Sequence, residues 1–178
     1  MESFTLRRLG QSPNSGWSVY SLGLRSAESL PHEIPLPSKY FVCLLSWNAK
    51  YASAGVIASL AETLLARGCV YFCCRGTDCE RVHDVIDEIL SGDGSSNVTW
   101  LDVMTTWHAK DSITEAIDFF VDSACPTDRY VSECRTALAI TIGDDFEVVS
   151  TELALAVKLR EPPSNPPLHG TRQKAARP

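Results

Sequence analysis

The chain has 178 residues, of which 44% are hydrophobic and 21% charged, and it carries a net charge of −6. A chain of this length supports one sizeable core, so we expect a single domain with short appendages. No apolar run approaches the roughly 20 residues that a membrane helix needs. The acidic body also lacks the clustered Lys and Arg of a nucleic-acid surface. We therefore expect neither a membrane nor a nucleic acid among its partners.

The cysteines predict free thiols in a reducing compartment. Their number, seven, is odd, and no two have the Cys-x-x-Cys spacing of a structural zinc site. Four of them lie in apolar runs, where a free Cys behaves as a small hydrophobe: Cys43, Cys69, Cys73 and Cys74. The first eight residues lack the apolar core of a signal peptide. Together these features predict a cytoplasmic protein.

Residues 1–38 are predicted to form an N-terminal extension. Ser3–Leu9 and Trp17–Leu24 predict two short strands, a possible hairpin, across a turn-rich segment. Leu30–Pro37 contains three Pro in alternation, so it should be extended and lie outside the sheet interior.

An α/β domain is predicted over residues 39–160, because four apolar strand-like runs alternate there with amphipathic helices. The predicted strands are Tyr40–Leu45, Cys69–Cys74, Val98–Met104 and Ala137–Ile142. The predicted helices cover residues 53–67, 78–90, 112–124 and 146–160, and the last is defined by Phe146, Val149, Leu153 and Val157 at helical spacing. Residues 161–178 contain two Pro-Pro pairs and few apolar residues, so we expect them to be disordered.

Two helix starts have the spacing of a capping box, in which a hydroxyl and a carboxylate three residues later satisfy free N–H groups. These pairs are Thr77 with Glu80 and Ser112 with Glu115.

The alternation of strands and helices favours parallel pairing with right-handed crossovers. We predict a three-layer α/β fold: an open, mostly parallel sheet of about four strands with helices on both faces, flavodoxin-like or Rossmann-like, plus the N-terminal strand or hairpin. The first choice of strand order is 2-1-3-4.

In such a sheet the loops that follow the strands meet at one edge, where α/β proteins bind ligands. The predicted ligand-binding residues are Trp47, Asn48, Arg75, Thr77, Asp78, Thr106, Trp107 and Asp145. The turn after Cys74 contains a single Gly, too few for a usual phosphate-binding loop. No cofactor is predicted.

A thiol-dependent hydrolase or transferase is one hypothesis for this edge. Cys79 would lie in the first turn of a helix, whose dipole favours a thiolate. His108 would be its base, with Asp78, Asp144 or Asp145 orienting the imidazole. The simpler alternative, which we favour, is that Cys79 is a small residue packed beneath the helix start.

A divalent-cation site is a second possibility, built from Asp78, Glu80, Asp144 and Asp145. Acidic residues are favoured at helix N-termini in any case, so no metal site is predicted.

The motifs Asp78–Asp84 (Asp-Cys-Glu-Arg-Val-His-Asp) and Thr105–His108 (Thr-Thr-Trp-His) resemble those of a family of small, uncharacterised bacterial proteins with a domain of unknown function. Tyr71-Phe72-Cys73 and Ala137–Gly143 add to the resemblance, which covers about residues 40–143. It implies a shared domain and no activity. The preferred function is therefore a non-catalytic binding or interaction module, whose partner is an unidentified protein or a small ligand.

Overall fold

A computed structural model describes residues 6–92 and 100–163. The strands are β1 Leu6–Gln11, β2 Ser18–Leu24, β3 Tyr40–Trp47, β4 Cys69–Arg75, β5 Met104–His108 and β6 Cys134–Ile142. The helices are α1 Ala54–Ala66, α2 Cys79–Ser91, α3 Ile113–Asp122, the short α4 Asp128–Val131 and α5 Asp145–Lys158, with a 3-10 turn at Ala27–Ser29. The tail expected to be disordered lies outside the described residues from position 164 onward.

The six strands form one open sheet in the order β1-β2-β6-β3-β4-β5. Only β1 is antiparallel, paired with β2, and every other neighbour is parallel. This confirms the predicted α/β class and the N-terminal hairpin. The first-choice strand order was wrong, since the four predicted strands stand in the order 4-1-2-3. The reason is that β6 lies between β2 and β3 and pairs with both along most of its length.

The third predicted strand is displaced along the chain. It was expected at Val98–Met104, but β5 begins at Met104, and Val98 lies outside the described residues. Leu101 and Asp102 form a turn, and Asp102 takes a positive φ of 61°. Because β5 is an edge strand, its sequence is mostly polar instead of an unbroken apolar run. Thr105–His108, which follows the predicted strand, therefore belongs to the observed strand β5.

Helices cover both faces of the sheet and enclose two apolar clusters. Helices α1 and α2 pack on one face over Phe72 and Leu138, and α3 and α5 pack on the other over Val42 and Ala139. Within the described ranges, no helix has the length and apolar character that crossing a bilayer requires.

Helix α5 does not pack through the apolar stripe that predicted it. Phe146, Val149, Leu153 and Val157 are between 49% and 79% exposed, whereas Leu155 is fully buried. The helix contacts the sheet and α3 through its opposite side, which carries Thr151 and Leu155. Helical spacing identified the helix, but not the side that faces the core.

The helix starts agree with the predicted capping boxes in one case of two. Ser112 Oγ accepts from the Glu115 N–H and Glu115 reaches back to the Ser112 N–H, as predicted. The Thr77–Glu80 box was wrong. The N-cap of α2 is Asp78, in the left-handed region with φ of 66°, and its side chain makes no capping bond. The turn through Gly76 and Asp78 places Thr77 one residue too early to cap the helix.

Candidate functional site

A cavity of about 360 Å³ opens at the carboxyl edge of the sheet. Its walls come from the ends of β3, β4 and β6 and from the first turns of α5. The lining residues used below are Ser46, Trp47, Asn48, Arg75, Thr77, Thr141, Phe146 and Glu147.

The topology places this cavity where α/β proteins bind ligands. From β3 the chain winds outward through β4 to β5, and it then returns to the other side of β3 to form β6. The carboxyl ends of β3 and β6 therefore border a topological switch point, where the connecting loops diverge and leave a crevice. Trp47 ends β3 and Thr141 lies one residue before the end of β6, so both border this crevice.

Main-chain hydrogen bonds hold the loops around the cavity. The Ala49 N–H donates to the Thr77 carbonyl at 3.0 Å, which joins the loop after β3 to the turn after β4. Arg81 strengthens this junction, because its Nη2 donates to the Ala49 carbonyl at 2.6 Å and its Nε to Asp78 at 2.6 Å. The Gly143 N–H donates to the Leu24 carbonyl at 2.9 Å on the other side. The cavity rim is thus a hydrogen-bonded frame.

Among the described residues Arg75 is the only cation that lines the cavity, and its hydrogen-bonding groups are incompletely satisfied. It is half-buried at the end of β4, and its Nη1 donates to Ser46 Oγ at 3.0 Å. Its Nε is buried without a hydrogen-bond partner, and within the described residues Arg75 has no ion pair. Burial lowers the pKa of Arg75, an effect that the negative charges of Cys79 and Glu147, when ionised, oppose. The site therefore holds a partly dehydrated positive charge.

Thr141 is the second unsatisfied group. It is 1% exposed, and its Oγ1 is buried with no hydrogen-bond partner among the described residues. A buried hydroxyl without a partner costs about 1 to 3 kcal/mol. Arg75 on β4 and Thr141 on β6 thus each have a buried polar atom without a hydrogen-bond partner among the described residues, and both residues line the same cavity.

A carboxylate lies on the opposite wall and is already engaged. Glu147 Oε2 accepts from the Asp144 N–H at 3.2 Å, and the Glu147 N–H donates to Asp144 Oδ1 at 2.9 Å, which makes a capping box at the start of α5. The start of α5 therefore positions the Glu147 carboxylate, and this carboxylate does not form an ion pair with Arg75.

A wider, more open groove of about 880 Å³ adjoins the cavity. The two share Trp47, Asn48, Phe146 and Glu147. Tyr51, which is 89% exposed, lines the outer part of the groove. The cavity thus opens towards solvent between aromatic side chains.

Half of the eight predicted ligand-binding residues line the cavity: Trp47, Asn48, Arg75 and Thr77. The other four line neither the cavity nor the groove: Asp78, Thr106, Trp107 and Asp145. Asp78 pairs with Arg81, and Asp145 pairs with Arg25 at 2.6 Å. Trp107, on β5, packs against His83 of α2 with ring centroids 4.5 Å apart.

The side chains of the predicted catalytic pair, Cys79 and His108, lie on opposite faces of the sheet. Cys79 is 1% exposed and belongs to the apolar cluster beneath α1 and α2. The His108 ring packs against Phe119 of α3, on the opposite face of the sheet, and its Nδ1 lies 2.7 Å from Asp111. Burial raises the pKa of the Cys79 thiol, and a hydrogen bond with the main chain of His108 opposes part of that effect. Asp144 caps α5 instead of orienting His108.

Three of the four carboxylates considered for a cation already have partners of other kinds. Asp78 and Asp145 are held by arginines, and Asp144 by the start of α5. Across residues 6–92 and 100–163, no three His, Cys, Asp or Glu side chains are grouped as a metal ion would need.

Thr141, Phe146 and Glu147 are among the cavity residues that were not predicted from the sequence. A signal for Thr141 was present, because it is the one polar residue in the run Ala137–Ile142 and stands near its carboxyl end. A polar side chain at that position of a buried strand is typical of an edge site.

The comparisons identify a family without an assigned activity. A family model described as "Domain of unknown function (DUF7684)" matches residues 19–156. This confirms the resemblance inferred from the motifs and extends it at both ends, since the match begins in β2 and reaches α5. No match was found among curated proteins or among solved structures. The chain belongs to the DUF7684 family of domains of unknown function.

Proposed function

We propose that this domain is a non-catalytic binding module that holds a small anionic ligand in the edge cavity. The observation that carries the proposal is Arg75, a half-buried cation with a buried, unpartnered Nε and no ion pair among the described residues, in the lining of a cavity at the switch point. The ligand would place a carboxylate or phosphate oxygen against the guanidinium.

The free-energy cost of removing the Arg75 charge from water supports an anionic ligand. A charge removed from water without a partner is costly, and a bound anion would offset that cost through charge-assisted hydrogen bonds. The planar guanidinium matches the geometry of carboxylates and phosphates. Thr141, with its unpartnered hydroxyl, would add a donor from the neighbouring strand.

The size of the cavity supports a small ligand. A volume of about 360 Å³ lies at the lower end of the range for small-molecule sites, which is about 300 to 1,000 Å³. A longer ligand would extend from it into the adjoining groove.

The thiol-enzyme alternative loses support from the burial of Cys79 and the placement of the His108 imidazole on the other face of the sheet. A cytoplasmic location stays part of the proposal. It is supported by seven unpaired cysteines, six of them buried, which need no oxidising compartment.

The test is a titration of the ¹⁵N-labelled protein with inorganic phosphate and with acetate at constant ionic strength, followed by NMR. We expect saturable shifts of amides around the cavity. In Arg75→Gln the affinity should fall at least about tenfold, which corresponds to 1.4 kcal/mol. Arg67→Gln is the matched control, because Arg67 also has a lowered pKa from burial and an unpartnered buried nitrogen, but it ends α1 and does not line the cavity.

Two results would overturn the proposal. One is equal affinity of the wild type and Arg75→Gln. The other is the absence of any saturable shift at the cavity with either anion.

A further inference from the structure

Helix α5 exposes an apolar stripe to solvent. Neither packing against the core of the domain nor the lining of the edge cavity accounts for this stripe. Phe146 is 79% exposed, Val149 49%, Leu153 62% and Val157 63%. These are four of the eight large hydrophobic side chains that are exposed in the described residues. They recur every three or four positions, so they form one face of the helix. Contiguous exposed apolar surface of this kind marks an interaction site.

We propose that this stripe binds the same stripe of a second copy of the chain, with the two α5 helices antiparallel and a two-fold axis at Leu153. In this register each Val149 lies opposite Val157 of the second copy, and Leu153 lies opposite its own equivalent. Phe146 lies opposite Arg160, which follows the helix and is exposed. A two-fold interface requires this reciprocity, in which residue i meets j and j meets i.

The charges at the two ends of the stripe favour the antiparallel arrangement. The start of α5 carries three carboxylates, Asp144, Asp145 and Glu147. Asp145 pairs with Arg25, whereas Asp144 and Glu147 have no cation partner among the described residues. Beyond its end lies Arg160, whose guanidinium has no ion pair among the described residues. Antiparallel packing brings Arg160 of one copy to the acidic end of the other and over the Phe146 ring, where a cation is attracted. Parallel packing would bring the two sets of carboxylates together.

The interface would be small. The stripe from residue 146 to residue 160 is about 21 Å long at 1.5 Å per residue. A single helix pair buries less surface than a standard stable interface, so the dimer should dissociate on dilution. Phe146 also lines the edge cavity, but this inference does not depend on the proposed function, because it needs no ligand.

Sedimentation equilibrium over a range of concentrations tests the oligomer. We expect the wild type to be a reversible dimer. Leu153→Glu, which places two like charges on the axis, should be monomeric at the same concentrations. Leu101→Glu is the matched control, since Leu101 is 48% exposed but lies outside the stripe, and it should dimerise like the wild type. Circular dichroism of each variant checks that it folds.

Site-directed cross-linking tests the register, in a Cys125→Ser background that removes the exposed native thiol. Leu153→Cys should form an intermolecular disulfide on mild oxidation. Val149→Cys should link to Val157→Cys in a mixture and not to itself, because two Val149 positions would lie about 12 Å apart along the axis. A wild type that is monomeric up to millimolar concentration would overturn the proposal. So would a dimer that Leu153→Glu leaves intact, or one whose Val149→Cys variant links to itself.

Discussion

The ammonium group of Lys158 lies 2.7 Å from the carboxylate of Asp122, and this pair ties the end of α5 to the end of α3. Asp118 and Glu161 lie 3.1 and 3.0 Å from the same nitrogen. The Lys158 side chain is only 11% exposed. Burial disfavours its charged form, but hydrogen bonds to Asp122, Glu161 and Asp118 outweigh that effect, so the pKa of Lys158 is raised. The charge that joins the two helices is therefore retained at neutral pH.

Lys158→Met should lower the free energy of unfolding by about 1 to 3 kcal/mol, because it leaves three carboxylates near one another without their cation. Urea denaturation at neutral pH measures the loss. Lys39→Met is the matched control: Lys39 forms a single exposed ion pair with Glu133, and such pairs contribute little. Equal effects of the two substitutions would contradict a special role for Lys158.

Ser112→Ala and Thr77→Ala separate the capping box that the structure contains from the one that the sequence predicted. Ser112→Ala should cost about 0.5 to 2 kcal/mol, because it leaves the Glu115 N–H without its acceptor. Thr77 is exposed, and the structure gives its hydroxyl no capping bond, so Thr77→Ala should leave the thermal midpoint almost unchanged. A large loss of stability in Thr77→Ala without ligand would contradict the geometry at the start of α2.

The fold class was predictable because the central strands are buried on both faces and leave unbroken apolar runs. The strand order was not predictable, because it depends on contacts between residues that are far apart in the chain. Nothing near Ala137–Ile142 indicates that this strand pairs with β2 as well as β3. The edge strand β5 was misplaced because, unlike the central strands, its solvent-exposed position permits Thr105 and Thr106 in place of apolar residues.

The site was predictable to the extent that it depends on topology. Loops after parallel strands meet at one edge, and Trp47, Asn48, Arg75 and Thr77 do line one cavity. The structure places the Cys79 and His108 side chains on different faces of the sheet for a local reason. Successive side chains of β5 point to opposite faces of the sheet, so the residue at which the strand begins determines which side chains face α2. In the structure the His108 side chain faces α3. A one-residue change in register would reverse that choice.

The Ser112–Glu115 capping box should make the stability of α3 depend on pH. The pKa of Glu115 is lowered from 4.5, first because the Ser112 N–H donates to its carboxylate and second because of the Ser112 side chain. A lowered folded-state pKa gives stability that is present above the unfolded value and lost as the pH falls through the folded value. The wild type should therefore exceed Glu115→Ala in stability above pH 4.5, and the two should converge at lower pH. Denaturant titrations between pH 3 and pH 7 measure the difference.

A difference between the wild type and Glu115→Ala that stays constant over this range would contradict the assignment. Glu62→Ala, on the exposed side of α1, controls for the general effect of removing one carboxylate.

Gly76→Ala should destabilise the frame around the cavity. Gly76 takes φ of +105°, and a Cβ there would lie 2.3 Å from the Trp47 carbonyl oxygen, which is main chain and cannot easily move. The expected cost is about 2 kcal/mol or more, from backbone strain together with the clash. Gly55→Ala, in the first turn of α1, is the control, because its Cβ would meet nothing nearer than 3.9 Å. Thermal unfolding that shows equal midpoints for the two variants would contradict this account.

The thiols should divide into one that reacts in the native protein and six that do not. Cys125 is exposed and the other six cysteines are buried. Burial raises the pKa of Cys79 and that of Cys134, the latter to about 11, so neither supplies much thiolate at pH 8. Titration with an aromatic disulfide reagent should therefore modify one thiol quickly and the rest only on unfolding. Cys125→Ser should abolish the fast phase. If mass spectrometry instead located a fast-reacting thiol at Cys79 in that variant, the assignment of Cys79 as buried and unreactive would be wrong. The thiol-enzyme hypothesis would then have the reactive cysteine that it requires.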